Sequence, residues 1–345
     1  MNLTPGELYF IGEYDFKTAQ RTDFYKIGIV RHDGKDNRSS QDRLKEHQTG
    51  NPRKLEIVFT LATDAVEAIE TNLHYRLALK RVSGEWMKLG PKELEVAILE
   101  AESLKDQMSL HIQVFQETNE LKEEVSNGEE IPPTTESDFW FAKHQDAKVM
   151  SKSCEEAIEG YKALLESFDQ KGRDITLFAK QKERVGRTTL DLKSIKEKYP
   201  EIYLNFVSEE SDIRQRFEVS SIRQWKRELV EINPDLAFTL TEFNSELERS
   251  KELDISGTLH NLYLKVLSVK KYADWEVDLA QAQLKKLCGL YDSISGVCSW
   301  RRTKVIKEQF DKVSFAKKHP DLHSMFTTTS ANINYLSIEP RAAYQ

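Results

Sequence analysis

The chain has 345 residues, is 39% apolar and 31% charged, and carries a net charge of −7. That length suggests two domains, with three as the alternative. The negative charge argues against a general coat for polyanions, but it leaves room for a local basic face.

No apolar run approaches the ~20 residues needed to span a bilayer. The start, MNLTPGELYF, lacks a basic region and a signal-type apolar core. A cytoplasmic location with no membrane partner is therefore expected. Cys154, Cys288 and Cys298 are few, far apart and without a CxxC pair, which points to free, partly buried thiols.

GELYFIGEY (6–14) and FYKIGIV (24–30) read as strands joined by a turn-forming segment, which suits a hairpin. A polar loop, RHDGKDNRSS (31–40), leads into a short helix ending in DRLKEHQTGNP (42–52). Ser40 is a candidate cap, and Gly50 and Pro52 stop the helix. LEIVFTLAT (55–63) is a third strand. DAVEAIETNLHYRLALKRV (64–82) shows a helix-like apolar stripe, with Asp64 as its candidate cap. SGEWMKLGP (83–91) has a short strand-like centre. The pattern is that of a compact α+β unit rather than an alternating parallel sheet.

From Lys92 apolar residues recur at three- and four-residue steps, predicting a long helix up to SNGEEIPPTTES (126–137), which reads as a linker. Beyond it the chain reads as mainly helical, with little strand signal. Three segments share a form: SIKEKYPEIYLNF (194–206), ELVEINPDLAFTL (228–240) and SFAKKHPDLHSMF (314–326). A proline at the first helical position followed by an acid is a good helix start in its own right. The pattern therefore supports at most a duplicated helix–corner–helix element. Trp225 and Trp300 lie among basic residues (SIRQWKREL, SWRRTKVIK). One reading has them stack on bases while their neighbours grip phosphates; the other makes them core.

The chemistry concentrates in the first domain. Arg43 and His47 lie four apart on one helix face, as do Glu70 and His74 on the next helix. A carboxylate facing an arginine and a histidine is a minimal kit for metal-assisted phosphodiester cleavage. The carboxylate holds a hard cation, the arginine meets charge on the phosphoryl oxygens, and a His or Tyr handles the attacking water.

The order of these groups resembles the GIY-YIG nuclease superfamily. The similarity is greatest to the KIG-containing branch of phage and fungal meiotically up-regulated proteins. It is carried by LYF (8–10), KIG (26–28), RLKEHQTGNP (43–52), ETNLH (70–74) and GEW (84–86), about the first ninety residues. The resemblance implies a mixed or antiparallel three-stranded sheet flanked by helices. It also implies a DNA endonuclease using Mg²⁺ or Mn²⁺. Tyr9 matches the tyrosine near the nucleophilic water, and Arg43 and His47 match the helix pair. Glu70 matches the single metal-binding glutamate, and His74 belongs to the branch's LH signature.

There are departures from the family pattern. Lys26 stands where a tyrosine is usual, suited to contact phosphate or to lower the pKa of Tyr9. Glu7 replaces a glycine. GEW stands where an asparagine is expected, so Glu85 either takes that role or holds the closing strand. The expected division is a nuclease domain at 1–125, a linker at 126–137 and a helical region at 138–345 for target or partner recognition or oligomerisation. DNA is the expected partner, with a homodimer and a protein partner of the helical region as further expectations. The alternatives are a catalytically silent DNA-binding or regulatory module and a phage-defence effector.

Overall fold

The computed structural model describes residues 3–342 apart from 33, 35–37, 222 and 224, so parts of the 31–40 loop and of 221–229 lie outside the described residues. Strands β1 (Gly6–Tyr14), β2 (Arg21–Arg31), β3 (Lys54–Thr63), β4 (Arg81–Ser83) and β5 (Trp86–Lys88) form one antiparallel sheet in the order β3-β1-β2-β5-β4. The sheet thus has five strands rather than the expected three. β4 and β5 are three residues each, turned at Gly84 (φ 53), and such short strands leave no periodicity to read.

Alternation along β1 sorts the core. Leu8 and Phe10 join Ile27 beneath helices α2 (Val66–Arg76) and α3 (Pro91–Leu121), while Tyr9 and Ile11 join Val30 and Leu55 beneath α1 (Ser40–Gln48). Two caps differ from expectation. Ser39, one residue before Ser40, accepts from Asp42 N, and Asp64 does not cap α2, whose N-cap is Ala65 with no side-chain bond. The helix expected at 64–82 ends at Arg76 and passes through a 3₁₀ turn into β4.

Two long helices, α4 (Thr135–Gln170) and α9 (Gly257–Cys288), run antiparallel, tied by Ser151 to Asp274 (2.6 Å) and by Tyr161 to His260 (2.9 Å). Helix α9 also donates Trp275, Leu279 and Ala282 to the apolar core beneath the five-stranded sheet. Between them in sequence lie α7 (Leu229–Ile232) and α8 (Pro234–Glu252), of which α8 packs on the α4–α9 pair. The 126–137 segment is held in place. Ser126 N donates to Arg302 O (3.0 Å) and Asn127 N to Leu290 O (2.9 Å), and β6 (Glu130–Ile131) pairs with β10 (Ser293–Ile294).

Beside the helices expected for 138–345 lie strands that were not expected there, in two units. The first unit comprises β7 (Ala179–Arg184), β8 (Thr188–Leu190), α5 (Leu192–Lys198), α6 (Pro200–Leu204) and β9 (Val207–Val219). The second comprises β11 (Cys298–Phe310), α10 (Lys312–Lys318), α11 (Pro320–Phe326), β12 (Thr327–Thr329) and β13 (Ile333–Ile338). β9 pairs with β11 to make one ribbon. β7 and β8 pair with β13 and β12 to make a second. Most residues along both ribbons are exposed. With both faces in water, their sequences show no apolar–polar alternation, so they escaped a reading built on it.

Two of the three sequence repeats sit at corresponding places in these units, 120 residues apart. Asp191 and Asp311 each cap onto the serine three residues on, and Pro200 and Pro320 each start the second helix. Tyr199 (φ −136, ψ 57) and His319 (φ −131, ψ 61) make the same corner. Asp191 N donates to Phe326 O (2.9 Å) and Asp311 N to Phe206 O (2.8 Å). Lys198 lies over Phe326 and Lys318 over Phe206. The two units thus form a knob with an approximate two-fold axis and a core of its own, including Ile195, Phe206, Phe315 and Phe326. The third segment keeps the corner at Asn233–Pro234 but runs on into the longer α8 and packs elsewhere.

Trp300 is fully buried at the foot of the first ribbon and Trp225 packs against the same cluster, so neither indole is presented for base stacking. The three cysteines are free and buried. Arg302, 0% exposed, donates to Leu121 O (2.7 Å) and Gly289 O (2.6 Å) and lies 4.0 Å from the centre of the Trp300 ring. Among the described residues, no helix is long and apolar enough to cross a membrane.

Arg302→Ala is expected to lower stability by about 2–4 kcal/mol, through two lost charge-assisted bonds and a cavity. The exposed neighbour substitution Arg301→Ala should stay within about 0.5 kcal/mol. Urea unfolding of both variants measures the difference.

Candidate active site

Tyr9 sits at the centre of the sheet, opposite Gly28 on β2 and Thr60 on β3. Gly28 supplies the space for its ring: a Cβ there would stand 2.6 Å from Tyr9 Oη and 2.8 Å from Cζ. The hydroxyl reaches α1, where His47 Nε2 lies 3.4 Å away and the Arg43 guanidinium donates to it. Arg43 also donates to Glu46 (2.6 Å), while its Nε–H is buried with no partner among the described residues. A buried donor without a partner is costly, and this one is placed to meet an oxygen.

Lys26 and Glu85 form an ion pair beside this group, and the Glu85 carbonyl accepts from Ile27 N. Glu85 therefore holds the closing hairpin against β2 and engages Lys26. Beyond the end of β5 the Ile27 carbonyl has no strand partner, and His74 on α2 lies 3.0 Å from it through Nε2. A carbonyl only accepts, so Nε2 carries the proton and His74 is the pin between α2 and the free edge of β2.

Burial sets the protonation states, with neighbouring charges second. It raises the Tyr9 phenol despite Arg43, so Lys26 does not lower Tyr9 as expected; its ammonium is engaged by Glu85. Burial, then Lys26 and Arg43, lowers His47, leaving it neutral at pH 7. Burial, then Arg81, takes His74 down to about 4. Burial, then Glu85, takes Glu70 up to about 7. For Glu85 itself burial works upward, but the Lys26 hydrogen bond and charge hold it below the usual range.

Glu70 carries no hydrogen bond or ion pair among the described residues, and they hold no cluster of three or more metal-ligand side chains. A lone carboxylate short of positive charge suits a Mg²⁺-type ion that keeps most of its water. Two cations missed by the sequence reading bear on it. Arg31 lowers the Glu70 pKa, and Arg81, on β4 rather than a helix, feels both Glu70 and Glu85 and has a buried, unpartnered Nε. Arg81 was hidden because LALKRV continues the amphipathic pattern of α2.

The structure thus brings Tyr9, Arg43 and His47 into contact and couples Lys26 to Glu85. Glu70 is close enough for its charge to act on Tyr9 and for the Lys26 charge to act on it, and His74 stands at the rim. Residues 8–102 match the T5orf172 domain. That family is a GIY-YIG-like, phage-associated nuclease-type domain, and the matched span holds all six expected site residues together with Glu85. No curated protein and no solved structure matches the chain. The T5orf172 domain points to a nuclease-like or DNA-binding function.

Two outcomes follow. Gly28→Ala should push the Tyr9 ring off Arg43 and His47, cutting any nicking by about 10–100-fold. Thermal melts should also show a stability loss of about 1–3 kcal/mol. Because the folded-state pKa of Glu70 lies above its unfolded value, ionising it costs stability as pH rises from its ordinary value through about 7. In EDTA, Glu70→Gln should therefore raise Tm at pH 8, by about 2–4 °C, and bring no gain at pH 4.

Proposed function

We propose that the T5orf172 domain is a divalent-metal-dependent endonuclease that nicks DNA. The observation that carries the reading is the Tyr9 hydroxyl set against both Arg43 and His47, beside a partly buried Glu70 that has no partner among the described residues. His47, held neutral, is suited to take a proton from water. Tyr9 keeps its own proton, so it positions the water and His47 rather than acting as a phenolate base. The unpartnered Nε–H of Arg43 is suited to charge developing on a phosphoryl oxygen. Lys26 and Glu85 balance each other's charge at the wall. Glu70 would hold Mg²⁺ or Mn²⁺, which when bound supplies positive charge to the phosphate and the leaving oxygen.

A single metal-binding carboxylate supports one nick per site, so double-strand cleavage would take two protomers or two encounters. The 138–345 region is proposed to serve target recognition. Its separate role has to be tested in the full chain, because removing it strips Trp275, Leu279 and Ala282 from the core beneath the nuclease sheet.

Supercoiled plasmid is expected to be nicked with Mg²⁺ or Mn²⁺ and left intact in EDTA, and Glu70→Gln and Arg43→Ala should each lose at least ~100-fold. At limiting metal, nicking should rise with pH through about 7, as Glu70 ionises and His47 stays neutral. Unchanged nicking by Glu70→Gln would overturn the site. A native protein that binds DNA without ever cutting it would replace the enzyme with a binding module.

A further inference from the structure

The ribbon-and-knob arm, residues 179–219 and 298–338, holds 16 Lys and Arg against 11 Asp and Glu, inside a chain whose net charge is −7. The rest of the chain, taken together, holds 34 Lys and Arg against 46 Asp and Glu, so the arm is basic against an acidic remainder. The basic charge is unevenly spread. The first ribbon mixes Arg214, Arg216, Arg301, Lys304 and Lys307 with acids at 209, 210, 212, 218 and 308. The second ribbon has Lys180, Lys182, Arg184 and Arg187 against Glu183 alone, and β12–β13 contains no acid.

On β7 the cations fall at every second residue, so Lys180, Lys182 and Arg184 share one face, repeating every ~6.6 Å. Their cross-strand partners are Ser337, Tyr335 and Ile333. Lys180 pairs with Glu339 (2.7 Å), whereas Lys182 and Arg184 have no partner among the described residues. Tyr335 is 45% exposed and Ile333 61% exposed on the same face. A face with two cations that have no partner among the described residues, and an exposed aromatic ring opposite Lys182, suits a polyanion with flat bases rather than a protein core. A two-stranded ribbon open on both faces is also the kind of element that the major groove of a duplex admits.

The placement ties this face to the candidate active site. The foot of the second ribbon stands against the nuclease-type domain, where Arg341 donates to Val82 O (3.3 Å). Ile338, Glu339 and Pro340 share a cavity of about 490 Å³ with Thr71, His74 and Arg81. The two ribbons leave opposite ends of the α4–α9 pair, near Phe141 and Phe168. Those 27 residues of helix span about 40 Å. The ribbons, each about 40 Å long, meet at the knob, so body and arm form an open frame with its basic edge at the catalytic end.

We infer that the β7–β8/β12–β13 ribbon is a duplex-DNA holding surface, with Lys182 and Arg184 on phosphates and Tyr335 against the bases or sugars. This rests on the nuclease reading for its partner but not for its test. The experiment measures binding of a 30-base-pair DNA duplex by fluorescence anisotropy across a salt series, in a full-length Glu70→Gln background that removes cleavage. Lys182→Glu with Arg184→Glu should weaken binding at least ~10-fold and reduce the slope of log K against log salt by about 2. Tyr335→Ala should weaken binding with little change in slope, and Lys251→Glu on α8 should change neither.

The side chains of Lys182, Arg184, Tyr335 and Lys251 are exposed, and melts unchanged from the Glu70→Gln parent will establish that the variants are folded. Native affinity and slope in the double variant would overturn the inference, as would tighter binding to RNA of the same sequence. Nicking by the parent protein is scored separately. A parent that cuts while the arm variants bind normally overturns the arm alone. A parent that never cuts while arm variants lose binding overturns the nuclease reading and supports the arm.

Discussion

The Arg302 guanidinium is the junction on which the two halves of the molecule depend. It sits on β11 at the foot of an arm, yet its donors reach the last carbonyl of α3 and the carbonyl of Gly289 just past α9. A positive charge placed at two helix C-termini is electrostatically favoured there. Being fully buried, it is also exposed to a large penalty if either acceptor moves. The α3 end belongs to the helix that closes the five-stranded sheet, the α9 end to the long helix that underlies both. The orientation of the arm relative to the N-terminal domain is therefore fixed by directional bonds as well as by apolar packing.

The candidate site follows a different logic, in which absence of bonding is the feature. Tyr9 is tightly held, by Gly28 beneath and by Arg43 and His47 above. Among the described residues, Glu70 and the Nε atoms of Arg43 and Arg81 have no partners in a partly dehydrated space. Most buried polar groups in proteins are satisfied, and the proposed binding of metal and phosphate rests on these groups. The extra Lys26–Glu85 pair explains how a lysine is accommodated where a tyrosine is usual: it is neutralised by the next strand.

Much of the nuclease-type domain was legible because its elements carry buried apolar residues. β1 and β2 bury both faces and read as short apolar runs, α3 buries a helical stripe, and Gly50 and Pro52 ended α1 as their chemistry requires. What stayed hidden had little burial or ran against the local pattern. β4 and β5 were too short, Arg81 continued a helical pattern past the helix end, and the ribbons are wet on both faces. Trp300, amid charged neighbours, gave no sign that it would be fully buried. The duplicated corner was readable as a motif. Its meaning, two copies wrapped around each other, needed the pairing of strands far apart in sequence.

That pairing has a consequence for the order of events during synthesis. β7 is joined to β13, so Ala179 waits for Ile338 before its strand has a partner. The hairpin β1–β2 and strand β3 contact one another within the first sixty-three residues and are complete early. Helix α9, which seals their core, arrives only after residue 288. A growing chain therefore carries Tyr9, Arg43, His47 and Glu70 well before the strands that complete both ribbons. Local contacts close fast and distant ones slowly, so the frame closes after the five-stranded sheet has formed.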